Sequence, residues 1–165
     1  HKTQRQQDKT TMSIPSIPRT APWGRLHLSI IREDMDSTKD LLKITDVNTP
    51  TRTGVTALHL AAQENLENFV ELLLANGATV RAKNQSEETP LHFAALNGTA
   101  RMISLLVKAG AKIDAADFEG GTPLHWAVSS QNLETIKELL KFGADPLGGH
   151  DETPVYVCVT TDFPE

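Results

Sequence analysis

The chain has 165 residues, 39% hydrophobic and 22% charged, with a formal net charge of −5. That is one domain's length with enough apolar residues for a core, and no apolar run reaches the roughly 18–20 residues that span a bilayer. An acidic body is the wrong sign for duplex DNA, and Cys158 is the only cysteine, so no nucleic acid, no membrane and no internal disulfide are expected. No basic-then-apolar leader opens the chain, and the expected setting is reducing and intracellular, cytoplasmic or nuclear.

Residues 1–22, "HKTQRQQDKTTMSIPSIPRTAP", contain three prolines and no hydrophobic periodicity, which reads as a flexible N-terminal tail. Lys2, Arg5, Lys9 and Arg19 outnumber Asp8 there, so residues 1–20 carry +3 and the remainder −8. From Trp23 onward the chain repeats itself. "TALHLAA" starts at Thr56, "TPLHFAA" at Thr89 and "TPLHWAV" at Thr122, each 33 residues after the last. Leu73, Leu106 and Leu139 keep the same register, as do Val70, Ile103 and Ile136, and the Gly-Ala pairs at 77, 110 and 143. Weaker copies flank these three. "GRLHLSI" at Gly24 keeps the Leu-His pair, and "TPVYVCV" at Thr153 puts Tyr156 in the histidine's place. The predicted units are about 23–50, 51–83, 84–116, 117–147 and a partial 148–165. The last stops before a second helix, the pattern of either a fragment of a longer array or a fraying end.

Each unit reads locally as helix, short turn, helix and extended loop. Thr89 suits an N-cap, with its hydroxyl accepting from a free backbone N–H, and Pro90 suits the first helical position, where no N–H is needed. Leu91, Ala94 and Ala95 follow helical spacing, and Gly98 is expected to end the helix in the left-handed conformation. A second helix, about Ala100 to Lys108, puts Ile103, Leu106 and Val107 on one face, and Gly110 closes it. "AKIDAADFEGG" is turn-rich and predicts a hairpin-like loop. One such helix pair cannot bury its own apolar stripe, but stacking on the next copy can. The predicted fold is therefore an all-α repeat solenoid of about four repeats plus a partial fifth.

These residues resemble the ankyrin repeat family: the 33-residue period, T-P-L-H, the Ala pair, the Leu pair and the terminal Gly-Ala all match. The resemblance runs from about Trp23 to Glu165 and implies paired antiparallel helices with β-hairpin-like finger loops projecting sideways. The family's Asp-x-x-Gly loop signature stands intact as Asp117-Phe118-Glu119-Gly120. In the preceding loop, Asn84-Gln85-Ser86-Glu87, a glutamate replaces the permissive glycine, which predicts a less regular turn. Thr51 stands where another unit has Asp. At the turn between helices, Asn65 and Gln131 stand where Gly98 does; Asn65 tolerates a left-handed turn, Gln131 less well.

The repeated histidines, His27, His59, His92 and His125, invite a metal or acid–base reading. Stacked helices lie about 10 Å apart, too far for equivalent imidazoles to share a metal with bonds of about 2.0–2.1 Å. The resemblance implies instead that each hydrogen-bonds within its own turn and to the next loop's backbone. No nucleophile elbow, glycine-rich phosphate loop or Cys-His pair is present, so no enzyme, cofactor, metal or small-molecule substrate is expected. Glu64, Glu67 and Glu71 form an acidic row, read first as a solvated face.

The resemblance implies protein–protein contact through loop tips and exposed first-helix positions. Carried over, these are Arg52 and Thr53, Gln85 and Ser86, and Phe118 and Glu119 at the tips. Glu88 lies between loop and helix, and Gln63 and Glu64, Leu96 and Asn97, and Ser129 and Ser130 lie at first-helix ends. Phe93 and Trp126 follow the histidines in register, where groove lining and packing between repeats compete. The line Phe93–Leu96–Phe118–Trp126 is the expected hot spot. The expected function is a non-catalytic, monomeric interaction module of a larger adaptor or regulatory protein. The alternative is the substrate-recruiting arm of a multidomain enzyme such as a ubiquitin-ligase receptor or kinase.

Overall fold

Threonine ahead of a small apolar run starts a helix in three successive units of the computed structural model, which describes residues 24–149. The expected tail 1–22 lies outside the described residues, as does the partial fifth unit beyond Gly149, including Cys158. Eight helices and no strand occur among the described residues, in four pairs. They are α1 (Arg25–Ile31) with α2 (Met35–Leu42), α3 (Ala57–Gln63) with α4 (Glu67–Ala75), α5 (Pro90–Asn97) with α6 (Ala100–Lys108), and α7 (Pro123–Ser129) with α8 (Leu133–Lys141). The first helices stack in a row, α1 on α3 on α5 on α7, while α4, α6 and α8 form the second layer. This is the all-α repeat solenoid that the 33-residue period predicts.

Side-chain size sets the layering. Ala61, Ala62, Ala94, Ala95 and Ala127 are fully buried, and their single methyls let neighbouring first helices approach closely. Leu73, Leu106 and Leu139, in register one repeat apart, are also at 0% exposure. Burying each leucine stabilises the stack by roughly 1.5–3 kcal/mol. Gly77, Gly110 and Gly143 end the second helices with φ of 86°, 100° and 89°, the left-handed cap that other residues adopt only at a cost.

Two sequence expectations are corrected. Gly98 is not left-handed: its φ is −81° and its ψ −174°. A Cβ there would run into the Ala94 carbonyl oxygen, so the glycine is required by a close approach rather than by a positive φ. At the equivalent turns it is Asn65 and Gln131, not glycine, that are left-handed, with φ of 54° and 57°. The loop 84–88 is also not irregular. Asn84 N donates to Glu88 O at 3.1 Å, just as Asp117 N donates to Gly121 O at 2.9 Å and Thr51 N to Val55 O at 2.8 Å. The deviation falls on Glu87 itself, which is forced to φ 59° where Gly54 and Gly120 take 83° and 85°.

Candidate partner-binding surface

The fingers 51–55, 84–88 and 117–121 are built by one side chain each. Asp117 Oδ1 accepts the N–H groups of Glu119 and Gly121 at 2.9 and 2.8 Å. Asn84 Oδ1 does the same for Ser86 and Glu88, both at 3.0 Å. Thr51 accepts from Val55 N through its hydroxyl at 3.1 Å. Backbone bonds then join finger to finger: Gln85 N donates to Thr53 O at 3.0 Å, and Phe118 N to Ser86 O at 2.9 Å. The hairpin-like loops thus form a ladder along the stack.

The repeated histidine fixes each finger to the helix row. Thr89 N–H donates to His92 Nδ1 at 3.0 Å, while His92 Nε2 donates to Gly121 O of the next finger at 3.0 Å. His59 repeats this with Thr56 N–H and Glu88 O, both at 3.1 Å, and His27 Nε2 reaches Val55 O at 3.0 Å. A carbonyl can only accept, so Nε2 carries the proton and Nδ1 accepts. The threonine hydroxyl lies 2.9 Å from His92 Nδ1, and the His92 amide donates to Thr89 O at 3.0 Å. Burial is the main reason these imidazoles stay neutral: His59 is pushed down to about 4, against the partial opposition of its bond to Glu88 O. His27 and His92 are lowered for the same reason. His59 and His92 make both bonds that the resemblance implied and act as structural pins; His27 makes the bond to the next finger, and His125 Nδ1 accepts from Thr122 N–H at 3.1 Å within its own turn.

The structure brings five of the sequence-derived positions together. Ser86, Glu88, Phe118, Glu119 and Trp126, with Asp117, line one hollow between the fingers 84–88 and 117–121. Phe118 is 77% exposed at the tip. Trp126 is half-buried on α7, with its indole Nε1 donating to Asp117 Oδ2 at 2.9 Å. Phe93 meets Trp126 edge-to-face at a centroid distance of 5.6 Å, and His59 and His92 extend the ring ladder at 5.7 and 5.3 Å. Phe93 is therefore partly a packing residue, in a contact worth about 0.5–1.5 kcal/mol beyond its burial.

Other expected positions lie elsewhere. Leu96 and Asn97 end α5, and Ser129 and Ser130 end α7, roughly 10 Å along the helix axes from the finger side. Ser130 Oγ turns back to Ala127 O at 3.0 Å. Gln63 and Glu64 line a second hollow with Ile30, Ile31, Glu33, Leu60 and Leu66. Arg52 and Thr53 are exposed at their tip, where Arg52 O accepts from Gln85 Nε2 at 2.8 Å. The acidic row is partly neutralised, because Arg101 of the next repeat reaches Glu67 at 2.9 Å and Glu71 at 3.3 Å. By sequence Asp117 is a loop signature only; in the structure it also holds the Trp126 indole. Its place nine residues before an indole donor was the available signal.

No described helix is long and apolar enough to cross a membrane. No curated protein matches the chain at a significant level. A family model described as "Ankyrin repeats (3 copies)" matches residues 21–84 and 70–149. With the helix pairs, the laddered fingers and the histidine pins observed above, this places the chain in the ankyrin repeat family.

Proposed function

We propose that the chain is a non-catalytic interaction module that binds a partner protein through its finger tips and the concave face of its first helices, as a monomeric part of a larger adaptor or regulatory protein. Ankyrin repeats are generally protein–protein interaction modules, and the family is typically non-catalytic. The observation that carries the reading is Phe118. A large apolar side chain stands 77% exposed on a finger whose backbone is locked by Asp117 and by the neighbouring finger. Holding such a ring in water gains nothing for the fold, whereas a rigid aromatic anchor gains contact area at low entropic cost on binding. Leu96, half-buried at the far end of α5 from the fingers, is proposed as a second contact on the first-helix row.

The test is partner capture from an extract, followed by affinity measurement with Phe118→Ala plus Leu96→Ala. The expected loss is at least tenfold with the thermal melt unchanged. Unchanged affinity with an intact fold removes the reading.

A further inference from the structure

The hollow between the third and fourth units differs from an ordinary apolar groove in its charge. Its walls are Ser86, Glu88, Asp117, Phe118, Glu119 and Trp126: three carboxylates, two aromatic rings and a hydroxyl, with no lysine or arginine among the lining residues. The ion pairs among the described residues join Asp40, Glu67, Glu71, Glu87 and Glu138 to cations, and none of the three hollow carboxylates. Asp117 is saturated by neutral donors, two backbone N–H groups and the Trp126 indole. Those bonds fix its position without cancelling its charge. Glu88 accepts from Asn84 Nδ2 at 2.6 Å, again a neutral donor that orients it. The negative field is felt nearby: burial lowers His92, and among the influences that oppose this are the charges of Asp117 and Glu88.

Such a site is complementary to a cation on a flat, weakly hydrated body. A guanidinium satisfies every feature at once. It stacks on an aromatic face, bonds carboxylates in a two-pronged fork, and sheds water more readily than an ammonium. We infer that the hollow lined by Glu88, Asp117, Phe118, Glu119 and Trp126 receives an arginine side chain from an extended segment of the partner protein. This rests on the interaction-module reading above and assigns the chemistry of its ligand. The arginine's aliphatic stem packs on Phe118, its guanidinium lies against Trp126, and Glu88 and Glu119 flank it. Ser86, exposed at the rim, is placed to accept from the segment's backbone.

The test pans a random twelve-residue peptide library against the full chain, with a Glu88→Gln plus Glu119→Gln chain for counter-selection. Glutamine keeps the acceptor that Asn84 uses, so the finger stays intact, and unchanged thermal melting verifies this. The expected result is peptides enriched in arginine at one position. Replacing that arginine by citrulline, its neutral isostere, weakens binding at least tenfold, and replacing it by lysine weakens it several-fold. The glutamine variant loses at least tenfold, and Phe118→Ala a comparable amount. Selected peptides without an arginine excess, failure to select any peptide, or arginine peptides held equally by the glutamine variant would overturn the inference. Should the inference fail while a captured partner still loses affinity with the Phe118 and Leu96 changes, the arginine receptor is wrong and the interaction-module reading stands.

Discussion

Acidification tests the histidine pins. His59 is buried at 1% exposure and bonded at both ring nitrogens, Nδ1 accepting from Thr56 N–H and Nε2 donating to Glu88 O. A second proton has to go on Nδ1, where it faces a backbone donor inside the protein. The folded-state value is accordingly pushed from 6.5 down to about 4. Because folding favours the neutral form, the stability is fully present above pH 6.5. It falls as pH drops through the interval toward about 4, and the loss is complete below that. From linkage, His59 alone costs about 2 kcal/mol between pH 8 and pH 5, and about 3 kcal/mol once fully protonated. His27 and His92 are shifted in the same direction and add to it. Carboxylates held low, such as Asp34 with its hydrogen bonds to Ser37, lose their contribution only below about pH 4, so pH 5–7 isolates the imidazoles. The assay is urea unfolding at pH 8, 6.5, 5.5 and 5, on the natural chain and on His59→Gln. The natural chain is expected to lose at least 2 kcal/mol by pH 5, and the variant, weaker at pH 8, to show a shallower slope. A flat profile from pH 8 to 5 would refute the neutral, two-bonded assignment.

Three substitutions probe the stack. Glu87→Gly removes a left-handed non-glycine residue at φ 59° and gives up only an exposed pair with Lys83. Stability should rise by about 0.5–1 kcal/mol in chemical denaturation, and a fall would show that the finger does not impose that conformation. Gly98→Ala puts a Cβ against the Ala94 carbonyl and should cost about 1–3 kcal/mol; a neutral result would mean the turn converts to the left-handed form of Asn65. Leu106→Ala, at 0% exposure in the middle of the stack, should lower stability by about 3 kcal/mol, with a loss below 1 kcal/mol contradicting the packing described.

Residues that recur every 33 positions were legible because stacking demands the same shape at each step. Leu106, Ala94 and the Thr-His pair face similar surroundings in the central copies, so their periodicity states their burial. The helix bounds of α6, Ala100–Lys108, follow from apolar spacing alone. Local conformational preference was a poorer guide where neighbouring units dictate geometry. Finger 84–88 is bonded to both its neighbours, through Gln85 N to Thr53 O and through Ser86 O to Phe118 N. That template holds Glu87 in a glycine's conformation. At Gly98 the turn takes a different form, in which α5 runs on through Asn97 and Thr99 caps Met102 N at 3.2 Å; a glycine rule based on φ does not see this. The Arg101 clamp on Glu67 and Glu71 spans 34 and 30 residues. It emerges only when the repeats are laid side by side. The family resemblance implies Phe118 and Glu119 as tip positions, but their meeting with Glu88 and Trp126 in one hollow depends on how the fingers ladder.

The most direct measurement is a hydrogen-exchange footprint of the full chain with and without a captured partner. Binding through the finger side adds protection in the fingers 51–55, 84–88 and 117–121, strongest around Phe118. Protection confined to the second helices α2, α4, α6 and α8, with the fingers unchanged, would contradict it.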